Sequence, residues 1–164
     1  MKNNNAFTIV ELLIVIVVIA ILASISVVAY NGIQNRANLA KVNSELLTIN
    51  KAIQMYYAEN GVYPDNSNTW RGYRGYGAYA QNFVPGLAPN YISSVPGPSP
   101  LSASSDYLYR SNGVDYKLIA HSSNSVTDGF RALCPIAVQQ NPSMADSTRN
   151  CWAWGYWSSG GASF

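Results

Sequence analysis

The chain has 164 residues and a formal net charge of +2 at neutral pH, which gives little electrostatic attraction to polyanions such as nucleic acids. Apolar residues make up 48% of the sequence and charged residues only 11%, a high and a low share for a protein surrounded by water. The composition therefore argues against a fully solvated monomer and indicates that neighbours cover part of the surface.

The first predicted element is an apolar helix from Phe7 to Tyr30, after the short leader 1–6. Its last 19 residues, Leu12 to Tyr30, carry no charge. At about 1.5 Å per residue they span roughly 28 Å, close to the thickness of a bilayer's hydrocarbon core. The leader contains Lys2 and the next cation is Arg36, so the leader is predicted to lie in the cytoplasm and residues 36 onward outside.

One carboxylate, Glu11, interrupts this apolar helix. A charge within a membrane is costly unless a group of opposite charge meets it. A secretory signal peptide would have a shorter apolar core and a small-residue cleavage site, which the sequence after Tyr30 does not offer. A plain membrane anchor accounts for the length but leaves Glu11 without a role. The carboxylate therefore favours a third interpretation, in which the helix assembles with other helices.

The segment AFTIVELLIVIVVIAILASIS, residues 6–26, resembles the class III signal of type IV prepilins. In that pattern a short charged leader and a small residue precede Phe, with Glu at the fifth mature position. The resemblance implies that a prepilin peptidase cuts between Ala6 and Phe7, methylates the new amine of Phe7, and leaves the helix in the membrane. It also implies that Glu11 pairs with the amine of a neighbouring subunit. The chain departs from the family in having Ala6 where Gly is usual.

Beyond the apolar segment the helical pattern becomes amphipathic. The helix is predicted to run from Phe7 to Glu59 and to end at Asn60-Gly61, where Gly accepts the left-handed cap conformation. The sequence YYAENGVYPD, from Tyr56 to Asp65, also resembles the helix exit of pilins and pseudopilins. Apolar residues at spacings of three and four predict one buried face: Leu39, Val42, Leu46, Ile49, Ile53 and Tyr56.

Residues 62–105 are rich in Gly, Pro, Ser, Asn and Tyr and are predicted to form a long connecting loop. Within it, Thr69 to Phe83 interleaves aromatic residues with two arginines. Arginine and aromatic faces can stack single-stranded bases, but two arginines make only a small patch, so a packed or subunit-facing loop is favoured over nucleic-acid binding. The candidate ligand or subunit contact comprises five residues: Trp70, Arg71, Tyr73, Arg74 and Tyr76.

The C-terminal part is predicted to be an antiparallel sheet. Strands at 106–110 and 114–120 flank the turn signal Ser111-Asn112-Gly113, and two more are predicted at 130–138 and 151–157. The last strand places Trp152, Trp154 and Tyr156 on one face. The predicted fold class is α+β: a long N-terminal helix, hydrophobic in its first half and amphipathic in its second, packed on a pilin-like sheet of three or four antiparallel strands.

Cys134 and Cys151 are the only cysteines, and both lie in the region predicted to face outward. In an oxidising compartment, with adjacent strands on either side, we expect a disulfide that closes a loop of roughly 18 residues and stabilises the fold by about 3 kcal/mol. Two buried free thiols are the alternative if the exported side is not oxidising. Type IV pilins often have a disulfide-bounded segment near the C-terminus, so the resemblance agrees with the disulfide.

The sequence contains no recognisable catalytic or metal-binding pattern. Its single histidine, His121, ends a predicted strand without a cysteine or carboxylate cluster nearby, and Asp128 and Asp146 are too sparse for a calcium loop. No P-loop or pair of catalytic acids is present. We therefore predict no enzyme activity, no catalytic residue, no metal and no cofactor.

These elements predict three parts: a leader (1–6), a transmembrane and assembly helix (7–34), and a globular head (35–164) built from helix 35–60, loop 62–105 and sheet 106–164. The resemblance implies a single-pass precursor in the cytoplasmic membrane that prepilin peptidase and the assembly machinery convert into a helical homopolymer. We expect a subunit of an extracellular type IV pilus, the class of filament that serves twitching motility, adhesion or DNA uptake. The alternatives are a minor pilin, a competence or type II secretion pseudopilin, or a membrane-tethered aromatic-rich binding module.

Overall fold

A computed structural model describes residues 8–98, 105–122, 144–146 and 153–164. The chain forms two compact units, Met1–Arg36 and Ala37–Phe164. Helix α1 runs from Ile9 to Asn60 and contributes to both units. The predicted helix end is confirmed, because Gly61 adopts the left-handed conformation with φ of 71°.

The first unit consists of the apolar part of α1. Every large apolar side chain that the structure describes between Ile9 and Ile33 is about half exposed or more. The hydroxyl of Ser24 donates to the carbonyl of Ile21 at 2.7 Å, and that of Ser26 to the carbonyl of Leu22 at 2.8 Å. With its polar side chains satisfied internally, the helix is compatible with a hydrocarbon environment. By length and composition it could cross a membrane, and its most apolar window has a mean hydropathy of 3.3.

The second unit packs the amphipathic part of α1 on a four-stranded antiparallel sheet, which confirms the predicted α+β class. The strand bounds are Arg71–Gly72 for β1, Ser105–Ser111 for β2, Tyr116–Ser122 for β3 and Ala153–Trp157 for β4. The strands lie in the order β1-β2-β3-β4, and each neighbouring pair is antiparallel. Among the described residues, short 3-10 helices accompany them at Ala80–Asn82 and Gly160–Ser163.

The predicted hairpin is present, but its turn is longer than predicted. Strand β3 begins at Tyr116 rather than Val114, because the side-chain oxygen of Asn112 accepts the backbone N–H groups of Val114 at 3.0 Å and Asp115 at 2.7 Å. This local bond holds the chain in a turn through Asp115. The predicted strand at 130–138 lies outside the described residues.

The buried face of α1 is the one predicted. Five of its six apolar residues are at most 1% exposed, and Tyr56 packs at the edge of the same core. Residues from the connecting segment complete the core, so this segment is more than a surface loop. Trp154 and Tyr156 face the helix together, as predicted, while Trp152 lies outside the described residues. The connecting-segment residues in the core are Phe83, Val84, Leu87 and Val95.

Polar side chains also join the helix to the sheet. The indole N–H of Trp154 donates to Asn43 at 3.1 Å, and the hydroxyl of Tyr116 donates to Asn50 at 2.7 Å. The hydroxyl of Tyr107 donates to the Glu45 carboxylate. Buried aromatic residues with satisfied polar ends combine a large apolar contact with a fixed orientation. These bonds set the position of the helix along the sheet.

The opposite face of the sheet holds a buried ion pair. The ammonium of Lys117, on β3, lies 3.1 Å from the carboxylate of Asp146, and both side chains are only 1% exposed. Lys117 also donates to the carbonyl of Ala162 at 3.2 Å and lies 5.2 Å from the centre of the Trp157 ring. Since a buried charge is stable only when it is paired, this contact fixes the segment 144–146 against the sheet.

Glu45 gives the head a predictable response to pH. Burial raises the pKa of Glu45 above its ordinary value of 4.5, and the hydrogen bond from Tyr107 and the charge of Lys41 oppose that rise. The folded state therefore holds the proton more tightly than the unfolded state. Its contribution to stability is fully present below pH 4.5 and is lost as the pH rises through the raised pKa.

We expect Glu45→Gln, which mimics the protonated side chain, to remove this part of the pH dependence. Thermal unfolding of both proteins in detergent at a series of pH values would measure it. The wild-type midpoint should fall relative to the variant as the pH rises above 4.5. Parallel curves for the two proteins would contradict the expectation.

Candidate assembly site

The carboxylate in the apolar segment is held by the start of its own helix. Thr8 precedes the first helical residue, and its backbone N–H and its hydroxyl both donate to Glu11 Oε2 at 2.8 Å. In return the N–H of Glu11 donates to the Thr8 hydroxyl at 3.2 Å. This reciprocal arrangement is a capping box, which satisfies helix N–H groups that have no partner within the helix. In a single chain, Glu11 thus has a local partner.

Thr8 was missed by the sequence analysis, although its signal was present. The spacing T-x-x-E ahead of an apolar run is the pattern of a capping box. The apolar pattern alone presents Glu11 only as a charge that needs a cation. Its threonine partner shows that the same carboxylate also begins the helix.

The second candidate region is a tight loop from Arg71 to Tyr79, here called the arginine–tyrosine loop. Asp106 anchors it, because its carboxylate accepts the backbone N–H groups of Arg74 at 3.0 Å and Gly75 at 2.7 Å. A side chain at Gly72 would lie 2.3 Å from the Asp106 carboxylate and from the carbonyl of Gly75, so glycine is required there. The loop is therefore held rigidly at its base.

The structure separates the five candidate contact residues into two groups. Trp70 and Tyr73 pack inward, Trp70 against the outer face of the sheet and Tyr73 against the core. Arg74 and Tyr76 are exposed, and the guanidinium of Arg71 lies 4.6 Å from the centre of the Tyr79 ring. The accessible surface therefore consists of both arginines with Tyr76 and Tyr79. Tyr79 was not among the candidates identified from the sequence.

Removing the Asp106 anchor should loosen this loop. In Asp106→Ala the N–H groups of Arg74 and Gly75 lose their acceptor, so we expect faster tryptic cleavage after Arg71 and Arg74 than in the wild type. Limited proteolysis followed by mass spectrometry measures the rate at these two sites. Cleavage after Lys51, within α1, is the internal control and should not change. Equal rates at the loop in both proteins would contradict the anchoring role.

Comparison with known proteins finds a matching motif and several relatives. Residues 1–27 match the prokaryotic N-terminal methylation motif. The type IV wide pilus major component PilA4 of Thermus thermophilus is 39% identical over 66 residues, which cover 40% of this chain and 50% of that protein. Type II secretion system core protein G of Klebsiella pneumoniae is 36% identical over 64 residues, covering 39% and 46% of the two chains. The chain thus carries this methylation motif and is similar, over about two fifths of its length, to a type IV pilus component and to a type II secretion core protein.

The similarity to these relatives extends over part of each chain. The Vibrio cholerae type II secretion system core protein G is 33% identical over 64 residues, or 39% of this chain and 44% of that protein. The chain thus spans about half the length, or less, of the curated relatives it matches. No solved structure matches the chain significantly.

Four of the predicted site residues lie outside the described residues. They are Ala6 and Phe7, at the predicted cleavage point, and Cys134 and Cys151, the predicted disulfide. The methylation motif includes Ala6, Phe7 and Glu11. Cleavage, methylation and the disulfide stay predictions.

Proposed function

We propose that this chain is a structural subunit of an extracellular type IV pilus. Its precursor crosses the cytoplasmic membrane once through residues 7–34. Prepilin peptidase cuts between Ala6 and Phe7 and methylates the amine of Phe7, and the assembly machinery then stacks the subunits into a helical homopolymer. We propose a structural role, without enzyme activity, metal or cofactor.

The exposed apolar part of α1 carries this proposal. In the part of the chain that the structure describes, the most apolar window of this helix is 0% buried, so lipid or other copies of the helix must cover it. Lipid would cover this apolar surface in the precursor, and the helices of neighbouring subunits would cover it in a filament. The same helix can therefore occupy both environments in turn.

Glu11 supports polymerisation over simple anchoring. A carboxylate in hydrocarbon costs several kcal/mol, which is more than the roughly 1 kcal/mol that a cap at the helix start returns to a simple anchor. The bonds from Thr8 offset part of that cost in an isolated subunit, but they supply no positive charge. We propose that the Phe7 amine of a neighbouring subunit supplies that charge on assembly and fixes the axial position of each new subunit.

A secretion pseudopilus is the second candidate function. It is favoured by the relatives named type II secretion system core protein G, which are 33% and 36% identical to this chain. Anchoring, processing and polymerisation would be the same, but the filament would remain in the periplasm. We favour the extracellular pilus because the connecting segment adds its own residues to the core and enlarges the head, and because the identity to a major pilus component is 39%.

Mass spectrometry of protein sheared from intact cells tests the proposal. We expect the chain to begin at a methylated Phe7, to contain the Cys134–Cys151 disulfide, and to dominate the sheared filaments. A pseudopilus subunit would be processed but would stay with the cell. A minor pilin or a tethered binding module would be scarce in the filaments and dispensable for bulk polymer. A chain that retains Met1 and never leaves the membrane would refute the proposal.

A further inference from the structure

The β2–β3 hairpin has two ends with different surface chemistry. One end, here called the acidic end, combines the hairpin turn with the helix exit, because the N–H of Tyr63 donates to the carbonyl of Gly113 at 2.8 Å. Val114 is 75% exposed at this end. The acidic end comprises five exposed residues: Tyr57, Glu59, Val62, Asp65 and Val114.

Carboxylates dominate the charge of the acidic end. Glu59 is exposed and accepts a hydrogen bond from Tyr91 at 2.6 Å, and Asp65 lies against Gly113 in the turn. Asp115 adds a third carboxylate, which accepts bonds from Ser158 and Gly160. The cation nearest along β2 is Arg110, whose guanidinium lies over the rings of Trp70 and Phe164. The exposed surface is thus apolar with negative charges around it.

The arginine–tyrosine loop lies at the other end of the hairpin. Its backbone joins the start of β2, where the N–H of Tyr73 donates to the carbonyl of Tyr107 at 3.1 Å. Tyr76 is 51% exposed, and its ring meets His121 edge-on at the end of β3. The acid in this loop's base, Asp106, is 6% exposed and bound to backbone N–H groups. The exposed surface is aromatic with Arg74, while Arg71 pairs with Tyr109 in the middle of β2 and is half-buried against Tyr79.

These two surfaces match each other. Both present apolar or aromatic side chains, and their exposed charges are of opposite sign. They lie at opposite ends of a strand of seven residues, about 20 Å apart at 3.3 Å per residue. A chain with complementary surfaces at two ends can bind copies of itself head to tail, and such contacts give open helical filaments when they do not close into a ring. Tyrosine and arginine are also enriched in protein interfaces.

We propose that the acidic end of one head binds the arginine–tyrosine loop of the next head along the filament. This inference rests on the proposed filament function and adds to it a second contact, separate from the N-terminal helix. Within that contact, Arg74 faces Glu59 of the neighbouring copy, and Tyr76 packs near its Val114.

Cysteine cross-linking within filaments tests the contact. The variant with Tyr76→Cys and Val114→Cys in the same chain is assembled, sheared, oxidised with copper phenanthroline and run on a non-reducing gel. We expect a ladder of covalent multimers several-fold stronger than in the control, which pairs Val114→Cys with Leu47→Cys. Leu47 is 39% exposed but belongs to neither end of the hairpin. Multimers formed by this control therefore report disulfide exchange with the native cysteines.

A charge swap provides a second test if the cysteine variant assembles poorly. Arg74→Glu should reduce filament yield several-fold, and adding Glu59→Arg should restore most of it, while Glu59→Arg alone should also reduce the yield. Normal filaments without the ladder and without rescue would overturn the head contact and leave the pilus function intact. If Glu59→Arg does not rescue assembly and Arg74→Glu no longer binds single-stranded DNA, nucleic acid would replace the second copy as the occupant of the arginine–tyrosine loop. A wild-type chain that forms no filament would overturn both proposals.

Discussion

Replacing Glu11 with glutamine is expected to leave the precursor in the membrane and to lower filament yield by at least about tenfold, because the buried charge pair is lost. Glutamine keeps the length of the side chain, and its amide oxygen can still accept the bonds that Thr8 donates to Glu11. The start of the helix is therefore preserved, and only the charge is removed. Immunoblots of membrane fractions and of sheared filaments measure the two quantities separately.

Thr8→Ser is the matched control for Glu11→Gln. Serine retains the hydroxyl and the backbone N–H that hold Glu11, so this variant should assemble at close to the wild-type yield. Filaments at normal yield from Glu11→Gln would rule out the pairing role. Loss of the precursor from the membrane would indicate that the substitution affects insertion.

Asp146→Ala is expected to destabilise the head by about 3–5 kcal/mol, since it leaves the Lys117 ammonium buried without its carboxylate. For a chain of this size, such a loss lowers the thermal midpoint by roughly 10 °C. Circular dichroism of the full chain in detergent would measure the midpoint. The neighbouring Trp157 ring can stabilise a cation only weakly by comparison.

Two further variants distinguish the effect of breaking a buried ion pair from the effect of removing a charge elsewhere. Lys41→Ala removes a cation that is 48% exposed and lies 3.9 Å from Glu45, and it should change stability by less than about 1 kcal/mol. The double variant Lys117→Met with Asp146→Leu should regain most of the loss, because apolar groups of similar volume need no partner. An Asp146→Ala midpoint equal to that of Lys41→Ala would contradict the importance of the buried pair.

The helix could be predicted because its signals are local. The spacing of Leu39, Val42 and Leu46 identifies the buried face, and Gly61 marks the end. The position of the hairpin could be predicted but not its bounds, because the backbone N–H of Asp115 donates to the side-chain oxygen of Asn112 and extends the turn. Periodicity and turn residues thus locate elements, while side-chain bonds to the backbone decide where they begin.

Strand β1 and the buried ion pair could not be predicted. Strand β1 has only two residues, and β2 supplies its partner, so nothing in the Gly-rich local sequence indicates a strand. Lys117 lies in a strand where lysine ordinarily indicates a solvent-facing position. Its burial depends on Asp146, which comes from a distant segment. Contacts between remote segments determine both features.

The polar bonds between helix and sheet have a mechanical consequence. Asn43, Glu45 and Asn50 lie along one stretch of α1, and each binds an aromatic residue on a different strand of the sheet. Tension pulling α1 lengthwise would load these bonds together in shear, instead of opening them one after another. The head should therefore resist stretching as a single unit, with the force spread over three strands.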